Sequence, residues 1–244
     1  MTMKSEIQQA RIDLAAAYRL ANMYGLSEGV CNHLTLIVPG RPEHFFLVAH
    51  GTHWSQVRAN ELLIVDVHGN LVEGDGKVEP TAFYIHARLH MARPDLRCIM
   101  HTHQPYTLAI AMTEGGHIIP ANQNALRYYD RIAYDEDYTG LALDTDEGDR
   151  LAGVLGNKSI LLMANHGVLV GGPDVATAYD DLYYLERTAM AQVLAMSTGE
   201  PLKLVPQPII EAAAAQIRND NSYAQDHFEA MKTVLDRTQP DYQD

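Results

Sequence analysis

A change of hydrophobic period along the chain does most to restrict its fold. Ile7, Ala10, Leu14, Ala17 and Ala21 recur at steps of three and four, which predicts an amphipathic helix from about Ser5 to Tyr24, stopped by Gly25. The period then shortens. HLTLIV (33–38) and HFFLVA (44–49) flank PGRPE, whose prolines and glycine read as the turn of a hairpin. LLIVDV (62–67) and a short return after HGN predict a second hairpin, because Gly69 and Asn70 tolerate the positive φ of a tight turn.

Helical spacing returns over Pro80 to Arg93, where Ala82, Ile85, Leu89 and Ala92 share one face, proline suits the first turn and Pro94 ends the run. LRCIMHT (96–102) reads as a strand and PYTLAIAM as a short helix. SILLMA (159–164) and GVLVGG (167–172) predict two further strands, and a long helix follows from about Asp174 to Thr198. The last forty residues predict one or two helices, with the polar stretch 238–244 expected to be a flexible tail. With no repeat and no linker, this alternation predicts a single mixed α/β domain over 1–244 around a central sheet.

Charge narrows the partners. Eighteen Lys and Arg against 31 Asp and Glu leave a formal charge of −13, and such a surface repels phosphate backbones and anionic lipid. The expectation is a small-molecule substrate, with neither nucleic acid nor membrane as partner. The two cysteines, Cys31 and Cys98, form no spaced framework, and the N-terminal stretch lacks the uninterrupted apolar core of a signal peptide because Glu6, Arg11 and Asp13 recur through it. A cytoplasmic location is therefore expected.

The chemistry concentrates in CIMHTHQPYTL (98–108). Two residues apart on a strand, His101 and His103 present their imidazoles to one side, which is chelating geometry; a polar strand end carries the same spacing without a metal. His166, in MANHGVLVGG, lies between two apolar runs where Asn165 and Gly167 imply a sharp turn. Three neutral imidazoles with a position left open are one way to hold a catalytic divalent metal, and the competing reading is a set of hydrogen-bonded core histidines.

ARPDLRCIMHTHQPYTLAIAM, the later NHG, the opening amphipathic helix and GVCNHLTL together resemble the class II aldolase/adducin family, over approximately residues 7 to 200. The resemblance implies a three-layer α/β/α domain with a mostly antiparallel central sheet, assembled as a homotetramer with sites between subunits. It implies metal ligation by His101, His103 and His166, with zinc as the first expectation and iron or manganese as alternatives. The family includes sugar-phosphate aldolases, an epimerase, decarboxylases, the non-catalytic head of adducin and a small branch of non-haem iron oxygenases.

Two departures redirect the expected activity. The aldolases of this family carry an acid/base glutamate at the position that, counted back from His101 without a gap, is Ala82. Glu79 lies one helical turn earlier and is the candidate replacement, although a carboxylate near a helix N-terminus is also simply favoured by the dipole. Of the family's phosphate-binding positions, Asn32 and Gly51 remain, while the serine pair reads Pro80 and Thr81, and proline has no N–H to donate. Asn32, Gly51 and Thr81 are accordingly substrate-binding candidates for a non-phosphorylated hydroxy, keto or aromatic acid. Tyr129 and Tyr134, in RYYDRIAYDEDYTG, are further catalytic candidates, and Trp54 reads either as a pocket wall or as core. The expected function is a metal-dependent lyase of aldolase or decarboxylase type, with an iron oxygenase or an adducin-like binding module as alternatives.

Overall fold

The computed structural model describes residues 2–142, 144–220 and 222–244. Among these, eight strands form one sheet: β1 (His33–Val38), β2 (Arg41–Leu47), β3 (Leu63–Asp66), β4 (Leu71–Glu73), β5 (Cys98–Thr102), β6 (Ile132–Asp135), β7 (Ile160–Met163) and β8 (Gly167–Gly172). Their order is β4-β3-β2-β1-β5-β8-β7-β6. All neighbours pair antiparallel except β6 and β7, so the sheet is mostly antiparallel, as expected.

The pleat decides which helix meets which side chain. Leu34 and Leu36 of β1, Cys98 and Met100 of β5 and Val168 and Val170 of β8 join Leu14, Tyr18, Leu182 and Leu185 in one apolar cluster. That cluster lies under α1 (Met3–Met23) and α5 (Val175–Met196), with α3 (Pro105–Ala111) beside α5. The alternate residues, Ile37 of β1, Ile99 of β5 and Leu169 of β8, face α2 (Pro80–Ala92) and α4 (Thr145–Leu155) across two further clusters. Helices on both sides of a sheet give the three layers, and they explain why every residue of β1, β5 and β8 is buried.

Three expectations are corrected. The first hairpin turns at Pro39 and Gly40 alone, with Gly40 at φ +74°, so β2 begins at Arg41 within the expected turn. β6 and α4 were not foreseen. The stretch expected to be a flexible tail is packed: Tyr242 is buried and its hydroxyl donates to Asp236 at 2.8 Å, Arg19 pairs with Asp241 at 3.0 Å, and the Asn60 amide donates to the Asp244 carbonyl at 2.8 Å. It follows α6 (Gln207–Arg218) and α7 (Tyr223–Thr238) and closes over α1.

Trp54 is core. It is fully buried, with its ring 4.8 Å from that of Tyr18 and edge-on to it, while the Tyr18 hydroxyl donates to the Leu34 carbonyl at 2.6 Å. Trp54→Ala is expected to cost about 3–5 kcal/mol, through lost burial and the void it leaves. Urea unfolding would read this, and a loss well under that range would mean that the residue is not the packing centre of this layer.

Candidate metal centre

His101 is the fourth residue of β5 and His103 lies just past its end, so both point to the α2/α4 side of the sheet. His166 reaches them from the turn between β7 and β8. That turn is tight because Met163 pairs with Gly167, and Asn165 takes φ +56°. Gly167 is required by proximity: a Cβ there would meet the Thr102 carbonyl oxygen at 2.6 Å and the His103 ring at 2.8 Å. The Asn-His-Gly sequence thus lets β8 start hard against the end of β5 and throws the intervening imidazole over it.

The three rings form a nearly equilateral group, with centroids 5.0 Å apart for His101 and His103, 4.8 Å for His101 and His166, and 5.0 Å for His103 and His166. One nitrogen from each lies within 4.8 Å of the other two. The outer nitrogens are occupied. His101 Nδ1–H donates to the Val168 carbonyl at 3.0 Å, which leaves Nε2 as the inward atom, and His103 Nδ1 bonds to the Glu28 carboxylate at 2.7 Å. His103 Nε2 is then buried with no hydrogen-bond partner among the described residues, an orphaned acceptor of the kind that a metal ion would satisfy. Burial, reinforced by the neighbouring rings, pushes His101 well below the usual imidazole range and His166 down to about 4. For these two rings the neutral form that ligates a cation is therefore the resident one at neutral pH, and with the unpaired Nε2 of His103 the donor set fits a divalent metal.

Glu28 holds the ring of His103 from outside the cluster. Glu28→Ala is expected to lower divalent-metal affinity about 10- to 100-fold, the usual effect of removing such an outer partner. Competition against a chromophoric chelator would measure it, and unchanged affinity would show that Glu28 does not orient the ligand.

The other candidates are distributed unevenly. Asn32, at φ +74°, accepts a hydrogen bond from the His103 amide at 3.2 Å, and its Nδ2 is buried beside the cluster without a partner among the described residues. Glu79 is the N-cap of α2: its Oε2 takes the Ala82 amide at 2.6 Å and the Thr81 hydroxyl at 2.5 Å, and stands 3.5 Å from His33 Nε2. Thr81 therefore spends its hydroxyl on Glu79. Gly51 occupies a turn at φ +86° after β2. The Tyr129 hydroxyl accepts from Gln207, and the Tyr134 hydroxyl accepts from the Ile118 amide while its ring stacks on His117 at 3.9 Å. Neither phenol contacts the three histidines. The tyrosine of that stretch that approaches them is Tyr138, with its ring 6.3 Å from His166. A cavity of about 350 Å³, lined in part by Tyr134 and Asn165, adjoins the turn that carries His166.

Sequence reading missed His33, whose ring lies 5.3 Å from that of His101. Only the pairing of β1 with β5 reveals it, since His33 is opposite His101 in their register and shares a strand face with Thr35.

The model of the Class II Aldolase and Adducin N-terminal domain matches residues 12–193. This chain belongs to the class II aldolase and adducin family. A Caulobacter vibrioides protein classed with aldolase class 2 is 31% identical over all of this chain and 97% of its own length. Alpha-adducin of Mus musculus is 36% identical over 80% of this chain, which spans 27% of that longer protein. The crystal structure of an aldolase II superfamily protein from Pseudomonas syringae superposes with a TM-score of 0.93, at 32% identity over 98% of this chain and 96% of that one. Membership of this family supports a lyase-type enzyme at the level of the family.

Proposed function

We propose that the chain is a metal-dependent lyase, of aldolase or decarboxylase type, acting on a small non-phosphorylated hydroxy, keto or aromatic acid. The observation that carries this reading is the convergence of His101, His103 and His166 with the inward Nε2 of His103 left unpaired. These three residues would hold the ion, zinc in the first instance, with iron or manganese as alternatives. A bound divalent metal supplies Lewis-acid stabilisation of negative charge developing on a substrate oxygen.

The chain's own residues supply the rest. Val168 and Glu28 orient His101 and His103. Asn32 offers its Nδ2–H to a substrate oxygen, and Glu79 is the candidate proton-transfer group in place of Ala82. The geometry speaks against a phosphate: Pro80 lacks an amide proton, Thr81 is engaged by Glu79, and Arg150 is already bound by Asp135 at 2.6 Å and Glu147 at 2.8 Å. No helix among the described residues is long and apolar enough to cross a membrane. The reading further includes a cytoplasmic homotetramer with no nucleic-acid or membrane partner.

Ala82 favours a second reading, an iron oxygenase on the same ligands, because a proton-transfer carboxylate is dispensable when the metal itself activates oxygen. Elemental analysis after chelator-free purification separates the cases: zinc or manganese with carbon–carbon cleavage for the lyase, and iron with oxygen uptake on a panel of 2-keto, 2-hydroxy and phenolic acids for the oxygenase. Protein that takes up neither zinc, manganese nor iron would overturn both in favour of an adducin-like binding module.

A further inference from the structure

Behind His33 runs a buried polar chain that the metal reading leaves unexplained. On α2, His86 and His90 follow Ala82 at intervals of four, so all three lie along one helical stripe facing β1, where His33 and Thr35 share a strand face. Thr35 and His86 are fully buried, and His33 and His90 nearly so. The contacts are consecutive: His33 Nδ1 to His86 Nε2 at 3.2 Å, His86 Nδ1 to Thr35 Oγ1 at 2.7 Å, Thr35 Oγ1 to His90 Nε2 at 2.8 Å, and His90 Nδ1 to the Leu96 carbonyl at 3.1 Å.

Counting protons from the closed end leaves one arrangement for neutral rings. The Leu96 carbonyl can only accept, so His90 carries its proton on Nδ1 and accepts at Nε2 from the Thr35 hydroxyl. Thr35 has no second proton, so its oxygen accepts from His86 Nδ1–H. His86 Nε2 then accepts from His33 Nδ1–H, and His33 Nε2 is left as a bare lone pair. That nitrogen is 3.5 Å from Glu79 Oε2, beyond ordinary hydrogen-bond length, and the same oxygen already receives two donors. Burial holds all three rings below the usual imidazole range, consistent with neutrality.

We infer that His33, backed by His86, Thr35 and His90, is a positioning residue: the chain locks it in one tautomer and presents Nε2 to the metal centre as a fixed hydrogen-bond acceptor. It emerges beside the α2 stripe from which the carboxylate absent at Ala82 would project, and it selects a ligand that bears a hydroxyl donor next to its metal-binding oxygen. The lock itself needs no metal, while the ligand preference rests on the metal-centre reading above.

Two measurements test it. Long-range ¹H–¹⁵N correlation on the metal-free protein should show His33, His86 and His90 all protonated on Nδ1, although an imidazole side chain in water favours protonation on Nε2. An Nε2–H form at His33 would overturn the lock. The second compares zinc-loaded wild type with Thr35→Val, which removes the chain's central hydroxyl at nearly constant shape, and with Thr35→Ser, which restores it. Glycolate, which carries the hydroxyl donor, should bind Thr35→Val roughly 3- to 10-fold more weakly, as for one lost neutral hydrogen bond. Acetate affinity and zinc content should not change, and Thr35→Ser should recover the glycolate affinity. Equal losses for both ligands, or none for glycolate, would overturn the acceptor role. Wild-type protein that binds no zinc would instead defeat the metal reading, and the tautomers would still decide the lock.

Discussion

His103→Ala should abolish stoichiometric divalent-metal binding in a chain that still folds cooperatively. His103 lies past the end of β5, and none of the ladder pairs of that strand depends on its side chain. Among the described residues its side chain is hydrogen-bonded to Glu28, which is largely exposed and regains water when the imidazole is removed. The buried atom that disappears, Nε2, has no partner to leave behind. Two imidazoles remain, and the loss of one of three ligands should weaken binding by more than about a hundredfold, beyond what a missing outer partner costs. Elemental analysis after dialysis, with thermal unfolding in parallel, reads both halves of the expectation. His53→Ala serves as the control, because His53 lies in a separate turn and its side chain, among the described residues, bonds to Ser55. Metal content equal to wild type in His103→Ala would remove the ligand assignment, whatever else the fold retains.

What the sequence disclosed and what it concealed follow from the same physics. Hairpins and long helices announce themselves by period, and β1, β3, β5, β7, β8, α1, α2 and α5 lie close to where that period places them. β6 was hidden because it is four residues long, sits at the sheet edge and has Asp135 as its one buried residue, inside a stretch dense in tyrosine and charge. α4 was hidden by Gly148 and by acids at its start. Those acids follow the Asp144 cap, and Gly148 is demanded by the approach of α2, since a Cβ there would stand 2.2 Å from the Tyr84 carbonyl oxygen. The closing residues read as disordered because their composition is polar, yet one buried tyrosine and three polar anchors suffice to seat them.

The site was legible only in part, for a similar reason. His101, His103 and His166 stand out by local spacing and by the glycine beside the last. His33, His86 and His90 each sit within an otherwise apolar face, and their meaning appears only when β1 and α2 are known to pack against each other. Tyr138, not Tyr129 or Tyr134, approaches His166, and no local signal separates one tyrosine from another in this stretch.

Mild acid should destabilise this protein well before its carboxylates titrate. Five histidines, His33, His86, His90, His101 and His166, are pushed below the usual imidazole value chiefly by burial, with His33, His90 and His166 near 4. In the unfolded chain the same rings take up protons around pH 6.5. Between about 6.5 and 4 the unfolded state therefore binds more protons than the folded one, and stability falls as pH falls. Each ring contributes up to about 1.4 kcal/mol per pH unit within that window. Asp181, whose carboxyl burial pushes up despite Arg131, acts in the opposite direction, but it is one group against five. Glu79 and Glu147, held below the ordinary glutamate value, lose their contribution only at lower pH. Urea midpoints at pH 7.5, 6.5, 5.5 and 5.0 should drop progressively, and equal midpoints at 7.5 and 5.0 would show that these rings are not buried neutral. Excess zinc at pH 5.5 should recover only part of the loss. The ion competes with protons at its ligand nitrogens, whereas His33, His86 and His90 are not among its ligands and continue to draw the equilibrium toward the unfolded chain.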